Sequence, residues 1–380
     1  MRKRHHFFWW LLRPLIIVFL WVKFGYTFKK ARDLPDNYIV LSNHATDYDP
    51  LLVAASFPRQ MYFVASEHIA RWKRAFKWVD FVFAPIMRYK GTVAASTVAE
   101  VLRRLRKGAN VAVFAEGART WDGVTGPILP STAKMVKKAC CGLVTYKLVG
   151  GHFISPMWSY HTRHGYCHGE VVNIYTKEQL AAMSQDEVYR AIVRDLYEDA
   201  YARQTEQPRE YRGKQLAEGL ENLLFICPKC GCYDSLNAKD DTITCEECGL
   251  SVKYTPYAKI EGVPFSTVKA LSDWQTKQVE QDVLRGIVYR AAEGTLISVS
   301  NHIETPLANG EISLDGETLR CGECTIAVAD ISDMAMHGKR ALVFSAGNTY
   351  YELIPARGAN ARKFWLYYLA ITQKDIVKVG

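Results

Sequence analysis

Apolar runs and turn residues divide this chain into stretches of different period. Residues 7–22 are almost wholly apolar, broken only by Arg13 and Pro14. From there to residue 202, short apolar runs alternate with amphipathic ones. Runs at 38–41, 61–65, 81–87, 111–115, 143–149 and 170–175 read as strands, and 51–55, 71–78, 97–107 and 185–202 as helices. Continuous apolar strands separated by helices predict a mostly parallel sheet with helices on its faces. A polar, charged segment follows, and then a stretch punctuated by Cys and Gly. Beyond residue 294, alternating runs at 295–299, 325–328 and 341–344 read as antiparallel strands. A closing helix over 360–372 carries Phe364, Trp365, Tyr367 and Tyr368. The expected organisation is an N-terminal anchor (1–30), an α/β domain (31–205), a linker (206–222), a Cys-rich module (223–257) and a C-terminal β-rich domain with a terminal helix (258–380).

The first run is flanked by Met1-Arg-Lys-Arg4 and Lys23. As a helix it would reach about 24 Å, short of the roughly 30 Å of a hydrocarbon core. Trp9, Trp10 and Trp21 suit a membrane interface. A signal peptide fits the basic start, but Lys23-Phe-Gly-Tyr26 offers no small-residue cleavage site. A helix buried in a soluble core is the remaining alternative. We expect a retained anchor that dips into or lies along one leaflet, with the protein on the cytoplasmic face. In 71–78, Arg71, Lys73, Arg74 and Lys77 separate Trp72 and Phe76. Such a helix either lies on a membrane or is an ordinary solvated face.

Hydrophobic residues make up 49% and charged residues 23% of the 380, which excludes a disordered chain. A net charge of +9 favours acidic partners: phosphate groups, anionic lipid surfaces or nucleic acid. Four of the ten Cys form two knuckles, Cys227-Pro-Lys-Cys230-Gly and Cys245-Glu-Glu-Cys248-Gly. Thiolates from two such turns can surround one ion tetrahedrally, which suits zinc, with iron as the rival. The pattern resembles a zinc ribbon or rubredoxin-like module. A site with all four positions filled by protein is structural rather than catalytic. Ribbons also bind nucleic acid, but Asp240, Asp241, Glu246 and Glu247 make this one acidic, so no nucleic acid is expected. Cys321 and Cys324 lack partners and fit a hairpin. His161, His164, Cys167 and His168 cluster without a second set of ligands, so no metal is expected there.

The candidate chemistry lies between the 38–41 strand and the 51–55 helix. There the chain reads Ser42-Asn-His44-Ala-Thr-Asp-Tyr-Asp49-Pro50. Strand-to-helix turns are where α/β sheets place reactive groups. An imidazole can take a proton from an attacking hydroxyl, and a carboxylate on its other nitrogen fixes the tautomer. The bland alternative makes Asp49 a helix N-cap and His44 a polar turn residue. Further on come Ile86-Met-Arg88, then Phe114-Ala-Glu116-Gly117-Ala-Arg119, then Ile154-Ser-Pro156.

In order and spacing these segments resemble the four motifs of the glycerol-phosphate and lysophospholipid acyltransferase family, over roughly residues 35–205. That family's first motif is Asn-His-x-x-x-x-Asp and its third is Phe-Pro-Glu-Gly-Thr-Arg. Here Ala115 replaces the Pro, Ala118 replaces the Thr, and no Gly precedes Arg88. These departures bear on substrate choice more than on reaction type. The resemblance implies an acyltransferase-type sheet and transfer of a fatty acyl group from acyl-CoA or acyl-carrier protein. The acceptor would be the hydroxyl of a lysophospholipid or glycerol phosphate, as in phosphatidate synthesis. It implies His44 as general base oriented by Asp49, and Arg88, Glu116, Gly117 and Arg119 as substrate-binding residues. Two other readings compete: a catalytically silent lipid-binding scaffold, and a nucleic-acid-binding ribbon protein. The strands with a closing aromatic helix are analogous to a pleckstrin-homology-type module, an analogy of fold alone.

Overall fold

The computed structural model describes residues 3–66, 74–88, 95–300 and 303–378. The chain divides into two compact units. The first is Met1–Met157 with Thr162–Gly213, and the second is Trp158–His161 with Lys214–Gly380.

The first unit opens with helix α1 (Lys3–Phe24) and strand β1 (Tyr26–Phe28). Then come β2 (Tyr38–Ser42), α2 (Asp49–Ser56), β3 (Met61–Ser66), α3 (Arg74–Phe83), β4 (Ile86–Arg88), α4 (Ala95–Arg106) and β5 (Asn110–Phe114). It closes with α5 (Ser131–Ala139), β6 (Gly142–Val149), α6 (Gly151–Ile154), β7 (Cys167–Tyr175), α7 (Lys177–Ala182), α8 (Gln185–Leu196) and α9 (Ala200–Glu206). The seven strands form one sheet in the order β1-β7-β6-β2-β5-β3-β4. From β6 to β4 every pairing is parallel, and β7 runs antiparallel to β6. Ile39, Val40, Leu41, Val111, Leu143 and Val144 are fully or almost fully buried, as strands covered on both faces require. Their carboxyl ends, at Ser42, Arg88, Phe114 and Val149, therefore open on one edge of the sheet.

Several boundaries differ from the sequence reading, each for a local reason. The expected strand over 81–87 is shorter than read: α3 runs to Phe83, and the strand is confined to Ile86–Arg88. Ala84 in the left-handed region, followed by Pro85, stops that helix. Arg71, Trp72 and Lys73 lie outside the described residues. Helix α4 starts at Ala95, two residues before the 97–107 expectation, so Glu100 lies inside it rather than in its first turn. The Glu100 carboxylate takes Arg103 and Arg104, which holds its pKa down at about 2. The helix expected over 185–202 breaks into α8 and α9, and the Asp199 side chain caps the second piece. Helix α5 has no counterpart in the sequence reading. The segment read as an anchor, 1–30, also supplies an edge strand, since β1 pairs with β7.

Helix α1 is fastened to the domain along its length. His5 Nδ1 bonds the Tyr62 hydroxyl at 3.0 Å, Arg13 donates to the Ala55 carbonyl at 3.0 Å and Lys23 to the Tyr48 hydroxyl at 3.0 Å. His5, Trp9, Leu20 and Phe24 are buried on that side. Phe7, Trp10, Leu15, Phe19, Trp21 and Val22 are exposed on the others. Helix α3 adds Trp78 and Phe81 to the exposed apolar surface, and Phe81 packs edge-on against Phe8 of α1.

The second unit begins where a linker was expected. Leu216, Ala217 and Leu220 of the 206–222 segment are buried, as is Tyr211 on the first unit's side of the boundary. A small sheet of β8 (Leu236–Lys239), β9 (Thr242–Cys245), β10 (Ser251–Tyr254) and β11 (Ile260–Glu261) forms the Cys-rich module. Helix α10 (Val268–Arg285) follows, which the sequence reading did not anticipate within the β-rich stretch. Its buried Gln275 accepts from the Phe225 and Ile226 N–H groups at 2.7 and 3.1 Å and donates to the Leu223 carbonyl, so it ties the entry of the module. Then come β12 (Tyr289–Ser300), β13 (Ile303–Leu314), β14 (Thr318–Cys321), β15 (Cys324–Ala327), β16 (Ile331–His337), β17 (Ala341–Ala346) and β18 (Thr349–Pro355). They form a seven-stranded antiparallel sheet in the order β15-β14-β13-β12-β18-β17-β16. Helix α11 (Ala361–Lys378) inserts Phe364 and Tyr367 into a core with Leu296, Ile312, Leu342 and Phe344. Cys321 and Cys324 are cross-strand neighbours at the β14–β15 turn.

Gly150, immediately after β6, has φ of +76°, and a Cβ there would lie 2.0 Å from the Tyr166 carbonyl oxygen. Gly150→Ala is therefore expected to destabilise the first unit by at least about 2 kcal/mol, read as a lower denaturant midpoint.

Candidate active site

Asn43 is the first residue past β2, and it is buried. Its side-chain amide donates to the Leu148 carbonyl at 2.9 Å and accepts from the Leu148 N–H at 2.8 Å. The amide thus continues the β2–β6 ladder by one rung and fixes where the backbone turns. His44 follows and is held by its own backbone: its N–H donates to Glu116 Oε1 at 2.7 Å and its carbonyl accepts from the Thr120 N–H at 3.0 Å.

The His44 ring stacks on Phe114, with centroids 4.3 Å apart and planes at 18°. Nδ1 lies 2.7 Å from Asp49 Oδ2, and the His44 side chain keeps 20% of its exposure while Asp49 keeps none. The same Asp49 oxygen accepts the Ala45 and Thr46 N–H groups at 2.6 and 2.9 Å. With two backbone donors on it, Oδ2 acts as an acceptor, so the proton of the pair belongs on Nδ1. Nε2 is then the basic nitrogen. Asp49 is not the N-cap of α2: that position belongs to Tyr48, and Asp49 stands in the first turn with its carboxylate folded back over the loop.

Glu116 leaves β5 into the same space, but its carboxyl is occupied. Oε1 takes the His44 N–H and Oε2 takes the Gly126 N–H at 2.6 Å. The sequence expectation makes Glu116 a substrate-binding group; in the structure both oxygens also serve the loops. Burial pushes its pKa up to about 8, against the pull of the two backbone donors. Gly117 has φ of +74°, which lets the chain turn sharply, and a Cβ there would lie 3.3 Å from Arg88 Nη1. The Arg88 guanidinium, carried at the exposed end of β4, therefore lies over the Gly117 backbone. Arg119 Nη1 pairs with Asp47 Oδ2 at 2.8 Å.

His44, Asp49, Arg88, Glu116, Gly117 and Arg119 thus gather at the carboxyl ends of β2, β4 and β5, where open α/β sheets present their clefts. Ile154 and Pro156 of the fourth segment are buried instead and serve packing. Sequence reasoning missed the ladder role of Asn43, although Asn43 stands inside the first motif. It also missed His152, a buried ring packed against Phe153 and Tyr201. His152 lines a cavity of about 10 Å³ with Asn43, His44 and Glu116, and burial pushes its pKa down to about 4. A His on a short apolar turn carries no sequence signal of its own.

The second unit holds the four knuckle cysteines. Their sulfurs lie within 4.8 Å of one another, with Cys227–Cys248 and Cys230–Cys245 each at 3.7 Å. Four thiolates at a Zn–S distance of about 2.3 Å form a tetrahedron with edges of about 3.8 Å, so the spacing fits such an ion. Each knuckle is closed by a glycine N–H: Gly231 donates to Cys227 and Gly249 to Cys245, at 2.9 and 3.0 Å. No second group of metal-ligating side chains occurs among the described residues.

Residues 26–159 match the family model described as Acyltransferase. No curated protein matches the chain. Among solved structures, it is similar to the 1-acyl-sn-glycerophosphate (LPA) acyltransferase PlsC from Thermotoga maritima. The identity is 15% and the TM-score 0.41, over 52% of this chain and 83% of that one.

The raised Glu116 pKa has a signed consequence. A carboxyl with a folded-state pKa of about 8, against 4.5 in the free group, gives stability that is full below pH 4.5 and lost as pH rises through 8. Thermal melts of wild type should fall toward alkaline pH, by at most about 1.4 kcal/mol per pH unit from this group. Glu116→Gln should flatten that slope.

Proposed function

Residues 26–159 form a domain of the acyltransferase family, and from that premise we propose that the protein moves a fatty acyl group from a thioester donor to a lysophospholipid or glycerol-phosphate hydroxyl. The observation that carries this reading is the 2.7 Å contact between His44 Nδ1 and Asp49, which leaves Nε2 basic at the sheet edge that also bears Arg88 and Arg119. Nε2 takes the acceptor's hydroxyl proton as its oxygen attacks the thioester carbonyl carbon. Asp49 stabilises the imidazolium that forms. The C–S bond then breaks, the carbonyl is restored as an ester, and the proton leaves with the thiolate sulfur. No covalent enzyme intermediate is needed. Arg88 and Arg119 grip the acceptor phosphate. Glu116 acts on the protein side, holding the His44 turn against the Gly126 loop.

Acyl-CoA and acyl-carrier protein both fit as donors. His44→Ala should lower kcat at least about a hundredfold, the usual contribution of a general base, with the melting temperature nearly unchanged. Wild type inert on every lysophospholipid offered with acyl-CoA or acyl-carrier protein would leave the scaffold reading, in which His44→Ala binds lysolipid as wild type does.

Membrane association is part of the same proposal. A helix fastened to the domain at its start, middle and end is suited to lie in the plane of one leaflet rather than cross it. The exposed Trp10, Leu15, Phe19 and Trp21 of α1, with Trp78 of α3, would enter that leaflet on the cytoplasmic face. We also assign a structural zinc ion to Cys227, Cys230, Cys245 and Cys248. Metal analysis of purified protein should return about one zinc per chain. Cys230→Ser or a strong chelator should release it and loosen residues 223–257, read as faster amide exchange there. Bound iron, visible as a coloured protein, would overturn the choice of metal.

A further inference from the structure

We propose that Asp47 guards the phosphate grip: its carboxylate occupies Arg119 until a phosphate-bearing ligand displaces it. The proposal deepens the reading of Arg119 given above and rests on it. Asp47 lies between His44 and Asp49 in the loop after β2, whereas Arg119 leaves β5, so their 2.8 Å contact joins two loops. Those loops do not need it. The His44 N–H on Glu116, the Thr120 N–H on the His44 carbonyl and the Ala115 N–H on the Ser42 carbonyl already hold them together.

The two partners are unequal. The Asp47 side chain is 71% exposed and Arg119 only 15%, so the carboxylate sits on the solvent side of a half-sheltered guanidinium. Exposed ion pairs of this kind hold by a factor of only about 1.5 to 5. A phosphate ester offers three acceptor oxygens and binds arginine more strongly than one carboxylate does. Arg88 differs: it makes no ion pair among the described residues and rests over Gly117. Among the described residues one arm of the grip therefore has no ion-pair partner, and the other is occupied by an internal anion. An aspartate beside a phosphate site weakens every anion that needs Arg119 by the same factor. Ambient anions then stay unbound, while a lysolipid whose chain adds binding energy still enters. Asp47 acts through Arg119: it lowers the affinity of the grip by a common factor and is a positioning residue, not a catalytic one.

The test uses the full chain in detergent micelles. Dissociation constants are measured by tryptophan fluorescence for lysophosphatidate and for monoacylglycerol, which lacks the phosphate. The proteins are wild type, Asp47→Asn, Asp47→Ser and Arg119→Ala. Both Asp47 variants should bind lysophosphatidate about two- to fivefold more tightly at low salt, with the gain shrinking as salt rises. Their monoacylglycerol affinity should not move, and in turnover the change should fall on KM rather than kcat. Unchanged or weaker lysophosphatidate binding in the Asp47 variants, with Arg119→Ala weaker than wild type, overturns the guard alone and would make Asp47 a support for Arg119. Lysophosphatidate binding that ignores Arg119→Ala, or is absent in wild type, overturns the phosphate grip and the guard together.

Discussion

A fully buried carboxylate organises the first unit's reactive edge. Burying an ionised group costs several kcal/mol unless donors replace its water. Asp49 meets that cost through one oxygen, Oδ2, which gathers the Ala45 N–H, the Thr46 N–H and His44 Nδ1. Its other oxygen receives no donor among the described residues. The loop after β2 has to wrap around this one atom. Its four residues between His44 and Asp49 are long enough for two backbone amides and the ring to reach it. Glu116, whose pKa burial pushes up to about 8, braces from the neighbouring strand in a different way, with one oxygen for each of two loops. Two acids that look like surface chemistry in the sequence are internal braces in the fold.

How much of this was legible in the chain depends on range. The parallel sheet was, because Ile39-Val-Leu41, Val111 and Val144 carry the continuous apolar signature of strands buried on both faces. The His44–Asp49 contact was, because both partners lie in one turn. The bracing role of Glu116 was not, because its partners are backbone N–H groups, which sequence does not advertise. The Asn43 role was not, because its amide pairs with Leu148, a contact 105 positions away. The 81–87 segment was misread because its aromatic spacing suits a half-exposed helix as well as a strand, and only Ala84 and Pro85 decide the matter.

The second unit follows the same division. The knuckles were plain from Cys and Gly spacing alone, since each is a local turn closed by its own glycine N–H. Helix α10 was not, because its residues are largely polar and its buried face is narrow. Its contribution rests on one buried amide, Gln275, which satisfies three backbone groups at the module's entry. Polar side chains at Asn43 and at Gln275 thus do comparable work in two different units: each substitutes for a missing strand neighbour.

The stacking of His44 on Phe114 has a consequence for trajectory. One face of the imidazole is covered by the phenyl ring, and its Nδ1 edge is taken by a carboxylate. The corridor that these contacts leave runs in the ring plane to Nε2, where the lone pair points. A ring locked this way loses little motional freedom when the corridor fills, so the geometry of encounter is set by the protein before any partner arrives.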